Sequence, residues 1–211
     1  DEHNPRMHRG LRWAIPTATS LLPLVPERAV PVLAGVVGGV LWSSLAARRR
    51  VVSRNLRHLA PGASPSEHRR LGRATFARLA ACWYDTLRLP HLDAAHIRRL
   101  VQWPSRHNLD AALAHGRGVV LVSPHLGGVE MAAACLAAHG YPVTTLAEAI
   151  DPALFSLLRR HRTRGGVTLL TPDEAVAAYR ALQRGEVLAI VADRLIAGPG
   201  VEVPFCGGRR V

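Results

Sequence analysis

His125 and Glu130 are the residues whose types and spacing point to chemistry, within Gly118-Val-Val-Leu-Val-Ser-Pro-His-Leu-Gly-Gly-Val-Glu130. An imidazole near a carboxylate can take a proton from a substrate hydroxyl while the acid orients the ring and supports its positive form. No serine or cysteine has to be acylated first. On one ideal helix, two residues at this spacing would lie about 140° apart around the axis, on different faces. The pair can meet only if His125 occupies a turn and Glu130 the first turn of a following helix. A bland alternative stands beside this: His125 completes a strand-to-helix turn, and Glu130 is an N-terminal acid favoured by the helix dipole.

The surrounding residues are of the kind that would position such a pair. Val119 to Val122 form an apolar run stopped by Ser123-Pro124, which predicts a buried strand delivering His125 to its carboxyl end. Ligands and chemistry collect at that edge of an open α/β sheet. Gly127-Gly128 permits a sharp turn, and Glu130 to His139 reads as a helix ended by Gly140. Strands are expected at Tyr141–Ala147, Val167–Leu170 and Val187–Ala192. Helices are expected after Asp151-Pro152 and after the capping sequence Thr171-Pro172-Asp173-Glu174, the second ending at Gly185. The pattern predicts an α/β fold with a mostly parallel central sheet flanked by helices. Glu202 alternates with Val201 and Val203, as in a strand that turns it either to solvent or toward the His125 end of the sheet.

Upstream, the chain is uncharged from Ala29 to Ala47 and then carries Arg48-Arg49-Arg50. Pro31, the glycines and Ser43-Ser44 weaken it as a membrane span. An apolar N-terminal helical segment is expected, packed on the body or lying in a membrane interface, with the arginines at anionic headgroups. Ser64-Pro65-Ser66-Glu67 announces a helix closed by Pro90. Its residues Phe76, Leu79, Ala80, Trp83 and Leu87 recur as one packed face, with Trp83 read as core. Ile97 to Trp103 fits either a short strand or an irregular edge, and Asn108 to His115 a short helix capped by Gly116.

The chain has 211 residues, 48% hydrophobic and 20% charged, which suits one substantial globular core. The division expected is an apolar membrane-associating segment, 1–50, and a catalytic α/β domain, 51–211. Its 27 basic residues are all arginine against 15 acidic ones, a formal charge of +12 that suits phosphates or anionic lipid. The arginines are dispersed and accompany no aromatic reading surface, so no nucleic-acid partner is expected. Cys82, Cys135 and Cys206 have no metal-ligand spacing; thiols in a reducing compartment and no metal are expected. There is no phosphate-binding P-loop or full dinucleotide fingerprint. The abrupt end Phe205-Cys-Gly-Gly-Arg-Arg-Val211 leaves open whether the domain is complete.

The spacing of His125 and Glu130 resembles the H-x4-D/E signature of membrane-lipid acyltransferases, and other segments narrow the resemblance. Arg54-Asn55-Leu56-Arg57, Cys82-Trp-Tyr-Asp-Thr-Leu-Arg-Leu-Pro90 and Leu146-Ala-Glu148 with Leu154-Phe155 and Arg162 are similar to family elements. So is Val191-Ala-Asp-Arg194 followed by Gly200-Val-Glu-Val203. Together they resemble the branch of lipid A biosynthesis acyltransferases and phosphatidylinositol mannoside acyltransferases, from about residue 50 to residue 208. The chain departs from that pattern at Gly127-Gly128-Val129, where the family often has Gly-Asn-Trp. Familiar members also continue beyond this length.

The resemblance implies a glycerolipid-acyltransferase-like core and transfer of an acyl chain from acyl-CoA to a mannose hydroxyl of a phosphatidylinositol mannoside. It implies His125 as the base, Glu202 as its relay partner and Glu130 as an acid that helps hold the site. Glu148, Arg162, Asp193 and Arg194 are then substrate-binding or site-building residues, with Arg162 and Arg194 suited to phosphates. Acyl-CoA is a substrate, and no cofactor is implied. The expected partners are acyl-CoA, a phosphorylated glycolipid and an anionic membrane surface, at the cytoplasmic face of the plasma membrane, peripheral or monotopic. Lipid A-type or glycerophosphate acceptors, and a lipid-binding protein without turnover, are the alternatives.

Overall fold

The structure is a computed structural model that describes residues 22–147, 165–193, 202–205 and 208–210. The chain forms two compact units, Asp1–His91 and Leu92–Val211.

The first unit is helical. Two 3-10 turns, Leu22–Leu24 and Glu27–Ala29, precede α1 (Val30–Ser44), α2 (Ala46–Leu59) and α3 (Pro65–Arg88), and a last 3-10 turn covers Leu89–His91. At the start of α3, Ser64 accepts from the Glu67 backbone N–H while the Glu67 carboxylate accepts from that of Ser64. This reciprocal cap satisfies two donors that the helix itself leaves orphaned. Helices α1 and α3 pack closely because glycine stands at the contact. A Cβ on Gly38 would lie 2.4 Å from the Ala77 backbone nitrogen, and one on Gly72 would lie 2.4 Å from the Trp42 ring. Trp42 and Phe76 fill the remaining space edge to face, with ring centroids 5.4 Å apart.

The packed face expected on α3 is narrower than its periodicity suggests. Phe76 is buried, but Leu79 is 50% and Trp83 48% exposed, so Trp83 is not core. The 15 residues of α1 span about 22 Å and the 24 of α3 about 36 Å, so α1 covers only part of its neighbour.

Helix α1 turns Val32, Leu33, Val36, Val37 and Val40 to solvent. Of the three arginines that follow, Arg49 is used internally. Its Nη1 donates to the carbonyls of Trp42 at 2.6 Å and Ser43 at 3.0 Å, capping the end of α1. Arg48 and Arg50 are exposed. Among the described residues no single helix is long and apolar enough to cross a membrane; the pair Glu27–Ser44 and Ala46–Leu59 is bent by 101°.

The second unit is the expected α/β fold. It contains α4 (Ala94–Leu100), α5 (Arg106–Leu113), β1 (Val119–Ser123), α6 (Val129–Ala138), β2 (Val143–Leu146), β3 (Val167–Leu170), α7 (Ala175–Gln183) and β4 (Val187–Val191). A short antiparallel pair, β5 (Val203–Phe205) with β6 (Gly208–Arg210), follows. The four main strands form a parallel sheet in the order β1-β4-β2-β3. Ile97 belongs to helix α4 rather than to a strand: Asp93 caps it by accepting from the His96 N–H at 2.7 Å. That Asp was the available signal, and the short length of the helix hid it.

Every main strand begins with valine, and the four are paired in register: Val119 with Val187, Val187 with Val143, Val143 with Val167. Val143, Val167 and Val187 are buried with Leu109 and Leu136. Each full burial stabilises by about 1.5–3 kcal/mol, and a one-residue slip would turn that side chain away. Thr144 is buried too, and its hydroxyl donates to Glu186 at 2.7 Å. The expected stops Gly116, Gly140 and Gly185 all have positive φ, where other residues are strained.

Gly118 enters β1 where only hydrogen fits: an added Cβ would lie 2.5 Å from the Leu182 carbonyl oxygen and 2.8 Å from that of Glu186. Both are backbone atoms and cannot rotate away. Gly118→Ala should therefore lower stability by about 1–3 kcal/mol, measured by urea unfolding; a change inside the scatter would contradict this packing.

Candidate active site

The site is built where β1 and β4 end. The two strands are neighbours and parallel, with Ser123 paired to Val191. The ladder continues one bond further, from the Ala192 N–H to the Ser123 carbonyl at 3.0 Å. His125 and Asp193 each follow two residues after that last pair, so two residues distant in sequence come abreast at the carboxyl edge. They bond twice. The His125 Nδ1 lies 2.6 Å from Asp193 Oδ1, and the His125 backbone N–H donates to Asp193 Oδ2 at 2.8 Å.

The pair is open to solvent, with side-chain exposures of 56% for His125 and 39% for Asp193. Burial pushes the Asp193 carboxyl up, but the hydrogen bonds from the His125 backbone and ring outweigh it, and the group is held below the ordinary carboxylate range. At neutral pH Asp193 is an anion and an acceptor.

Beyond His125 the chain turns through Gly127, whose φ of +73° is costly for a residue with a Cβ. Helix α6 begins at Val129, and Glu130 lies in its first turn. His125 is thus in a turn and Glu130 in the following helix, the one arrangement their spacing allowed. Glu202 immediately precedes β5. The catalytic roles of Glu130 and Glu202 rest on the resemblance. Glu148, Arg162 and Arg194 lie outside the described residues.

A histidine beside a hydroxyl or thiol raises the question of an acylated enzyme intermediate. The Ser123 hydroxyl donates to the adjacent Pro124 carbonyl at 2.9 Å. Cys135 is buried in α6, and burial raises its thiol above the ordinary value. Neither is disposed as a nucleophile. The arrangement suits direct proton removal from a bound hydroxyl by the exposed imidazole.

Sequence reasoning placed Asp193 near the site but did not identify it as the ring's partner. Its position two residues beyond a strand, matching that of His125, was the available signal. It becomes informative only once β4 is known to lie beside β1.

Residues 3–211 match the model of the bacterial lipid A biosynthesis acyltransferases. The chain belongs to the bacterial lipid A biosynthesis acyltransferase family. Among curated relatives, a phosphatidylinositol mannoside acyltransferase of Mycolicibacterium smegmatis is 32% identical over 142 residues, 64% of this chain and 46% of that protein. One from Mycobacterium tuberculosis is 32% identical over 134 residues, 59% and 42% of the two chains. The chain spans less than half the length of these curated relatives. In this lipid A acyltransferase family member the edge of the sheet carries an exposed histidine bonded to an anion.

Because the folded Asp193 lies below its unfolded value of about 3.9, the pair's contribution to stability is present above that pH and lost as pH falls through the folded value. The stability gap between the parent protein and Asp193→Asn should therefore shrink below about pH 4, as thermal unfolding across a pH series will show. A gap that widens toward acid would reverse the assignment.

Proposed function

We propose that this protein moves a fatty acyl chain from acyl-CoA to a sugar hydroxyl of a phosphatidylinositol mannoside, with His125 as general base. The observation that carries the reading is the placement of His125, exposed and bonded through Nδ1, at the carboxyl edge of the sheet in a chain of this family. The names of the relatives support the acceptor. Lipid A-type acceptors are the second reading, favoured by the family's description.

In the reaction, the hydroxyl oxygen attacks the thioester carbonyl as its proton passes to His125 Nε2. The tetrahedral intermediate then collapses with cleavage of the carbon–sulfur bond. The departing thiolate takes the proton from the imidazolium and leaves as free thiol. The exposed side chains of Val122 and Leu126, either side of His125 in the chain, offer apolar surface for the acyl group.

The same reading includes attachment to the cytoplasmic face of an anionic membrane through α1. Its exposed aliphatic face is followed by Arg48, Arg50, Arg54 and Arg57, and no acid occurs from Arg28 to Ser66. At about 22 Å the helix is shorter than a bilayer's apolar core of about 30 Å, which suits lying in the interface.

His125→Ala should lower transfer from labelled palmitoyl-CoA by about 10²–10⁴-fold in kcat, assayed against phosphatidylinositol mannosides, lipid A precursors and glycerol phosphate. Unchanged transfer would remove the base, and the acceptor that turns over selects among the lipids. No transfer to any acceptor by the parent protein would leave a lipid-binding protein. Val36→Asp with Val40→Asp should weaken binding to phosphatidylglycerol vesicles by at least about tenfold in a flotation assay, and equal binding would exclude α1 as the attachment face.

A further inference from the structure

We propose that the groove between α1 and α3 binds one anionic phospholipid, with an acyl chain lying over Gly35 and Gly39 and the phosphate on Arg73. The site lies within the helical unit and does not rest on the acyl-transfer reading.

The glycines of α1 divide by what requires them. An added Cβ on Gly38 would strike the backbone of α3. At Gly35 and Gly39 an added Cβ would meet nothing within 4 Å, and neither residue has a positive φ. Both lie in the interior of α1, where only proline is less favourable than glycine. Helix packing therefore does not account for them. With Arg73, Ala74 and Ala77 they line a groove of about 380 Å³, a volume in the range of small-molecule sites, roughly 300–1,000 Å³. The missing side chains leave its floor open to a methylene chain.

Charge selects the occupant. Arg73 makes no hydrogen bond or ion pair among the described residues, so its guanidinium keeps its donors for a ligand. That planar fork matches phosphate oxygens two at a time. Arginines recur from Arg28 to Arg78, and the only acid from Arg28 to Tyr84 is Glu67. Its carboxylate is taken up by the Ser64 backbone N–H and hydroxyl, each at 2.8 Å. A second copy of this chain would bring the same cationic helices against the groove, whereas a phosphate diester complements them.

The surface beside the groove selects a lipid over a free anion. Val32 and Val36 are exposed, and each stands three residues before one of the two glycines, a spacing that makes neighbours on a helix surface. The glycine floor is thus continuous with the aliphatic face of α1. A phospholipid meets both conditions, with an apolar chain for that floor and an anionic head for Arg73.

The test is native mass spectrometry of the full chain in detergent, titrated with dioleoyl phosphatidylglycerol or dioleoyl phosphatidylcholine. The parent should retain one phosphatidylglycerol per chain, and should hold phosphatidylcholine about fivefold more weakly. Arg73→Gln should abolish that preference. Gly35→Leu with Gly39→Leu fills the groove with good helix formers and should weaken retention of both lipids by at least about tenfold, with helicity by circular dichroism unchanged or raised.

A parent that retains no lipid, or several without preference, overturns the proposal without any variant. So does a folded double-leucine variant that binds as the parent does, and so does Arg73→Gln protein that keeps the preference for phosphatidylglycerol. A parent dimer that the leucines dissociate would give the groove to a second copy. Because retention is read in detergent, it judges the groove alone; transfer by His125→Ala and vesicle flotation of Val36→Asp with Val40→Asp judge the base and the attachment face separately.

Discussion

The register of the parallel sheet is the constraint from which the site follows. Four strands begin on valine, and their pairing sets Val119, Val187, Val143 and Val167 in one row. Side chains alternate with a period of two, so slipping any strand by one residue would withdraw its valine from that row. The apolar amino ends of the strands thereby fix the alignment of their polar carboxyl ends. With Val119 beside Val187, Ser123 must lie beside Val191, and His125 and Asp193 emerge together.

Polar groups around the sheet reinforce this alignment. The buried Thr144 hydroxyl is satisfied by Glu186, whose other oxygen accepts from Arg184 Nε at 2.7 Å. Glu186 also supplies the carbonyl that receives the Val119 N–H at 3.1 Å. A residue at the amino end of β4 thus ties together β2, the turn after α7 and the start of β1. At the far end, the last ladder bond and the carboxylate of Asp193 do the same for β1 and β4. The strands are held at both ends, so the exposed dyad stands on a braced edge.

In the helical unit the corresponding constraint is close approach. Gly38 at the crossing of α1 and α3 lets the two backbones meet, and Gly72 leaves room for the Trp42 ring, which also packs on Phe76. Arg49 then closes the end of α1 by bonding carbonyls that the bend leaves without helical partners. A sequence rich in arginine suggests surface charge throughout, yet one of three consecutive arginines here is part of the helix cap. The solvent-facing aliphatic residues of α1 follow from the same geometry, because its buried stripe is Ala34, Gly38 and Trp42.

Local chemistry made much of this legible in the sequence. The Ser64–Glu67 cap, the stop of β1 at Ser123-Pro124 and the turn glycines depend on residues within a few positions of one another. So does the separation of His125 and Glu130 into a turn and a helix. The expected burial of the strand before His125 fails: β1 is an edge strand, with Val120 47% and Val122 66% exposed. The family was legible as well, through motifs spread along the chain. Helix α4 was obscured because about two turns show little periodicity, and Trp83 was misjudged because periodicity does not reveal how far a neighbouring helix reaches. The partner of His125 belonged wholly to tertiary structure. Strand order cannot be read from the chain in sequence order, and only the placement of β4 between β1 and β2 brings Asp193 across 68 residues to the imidazole.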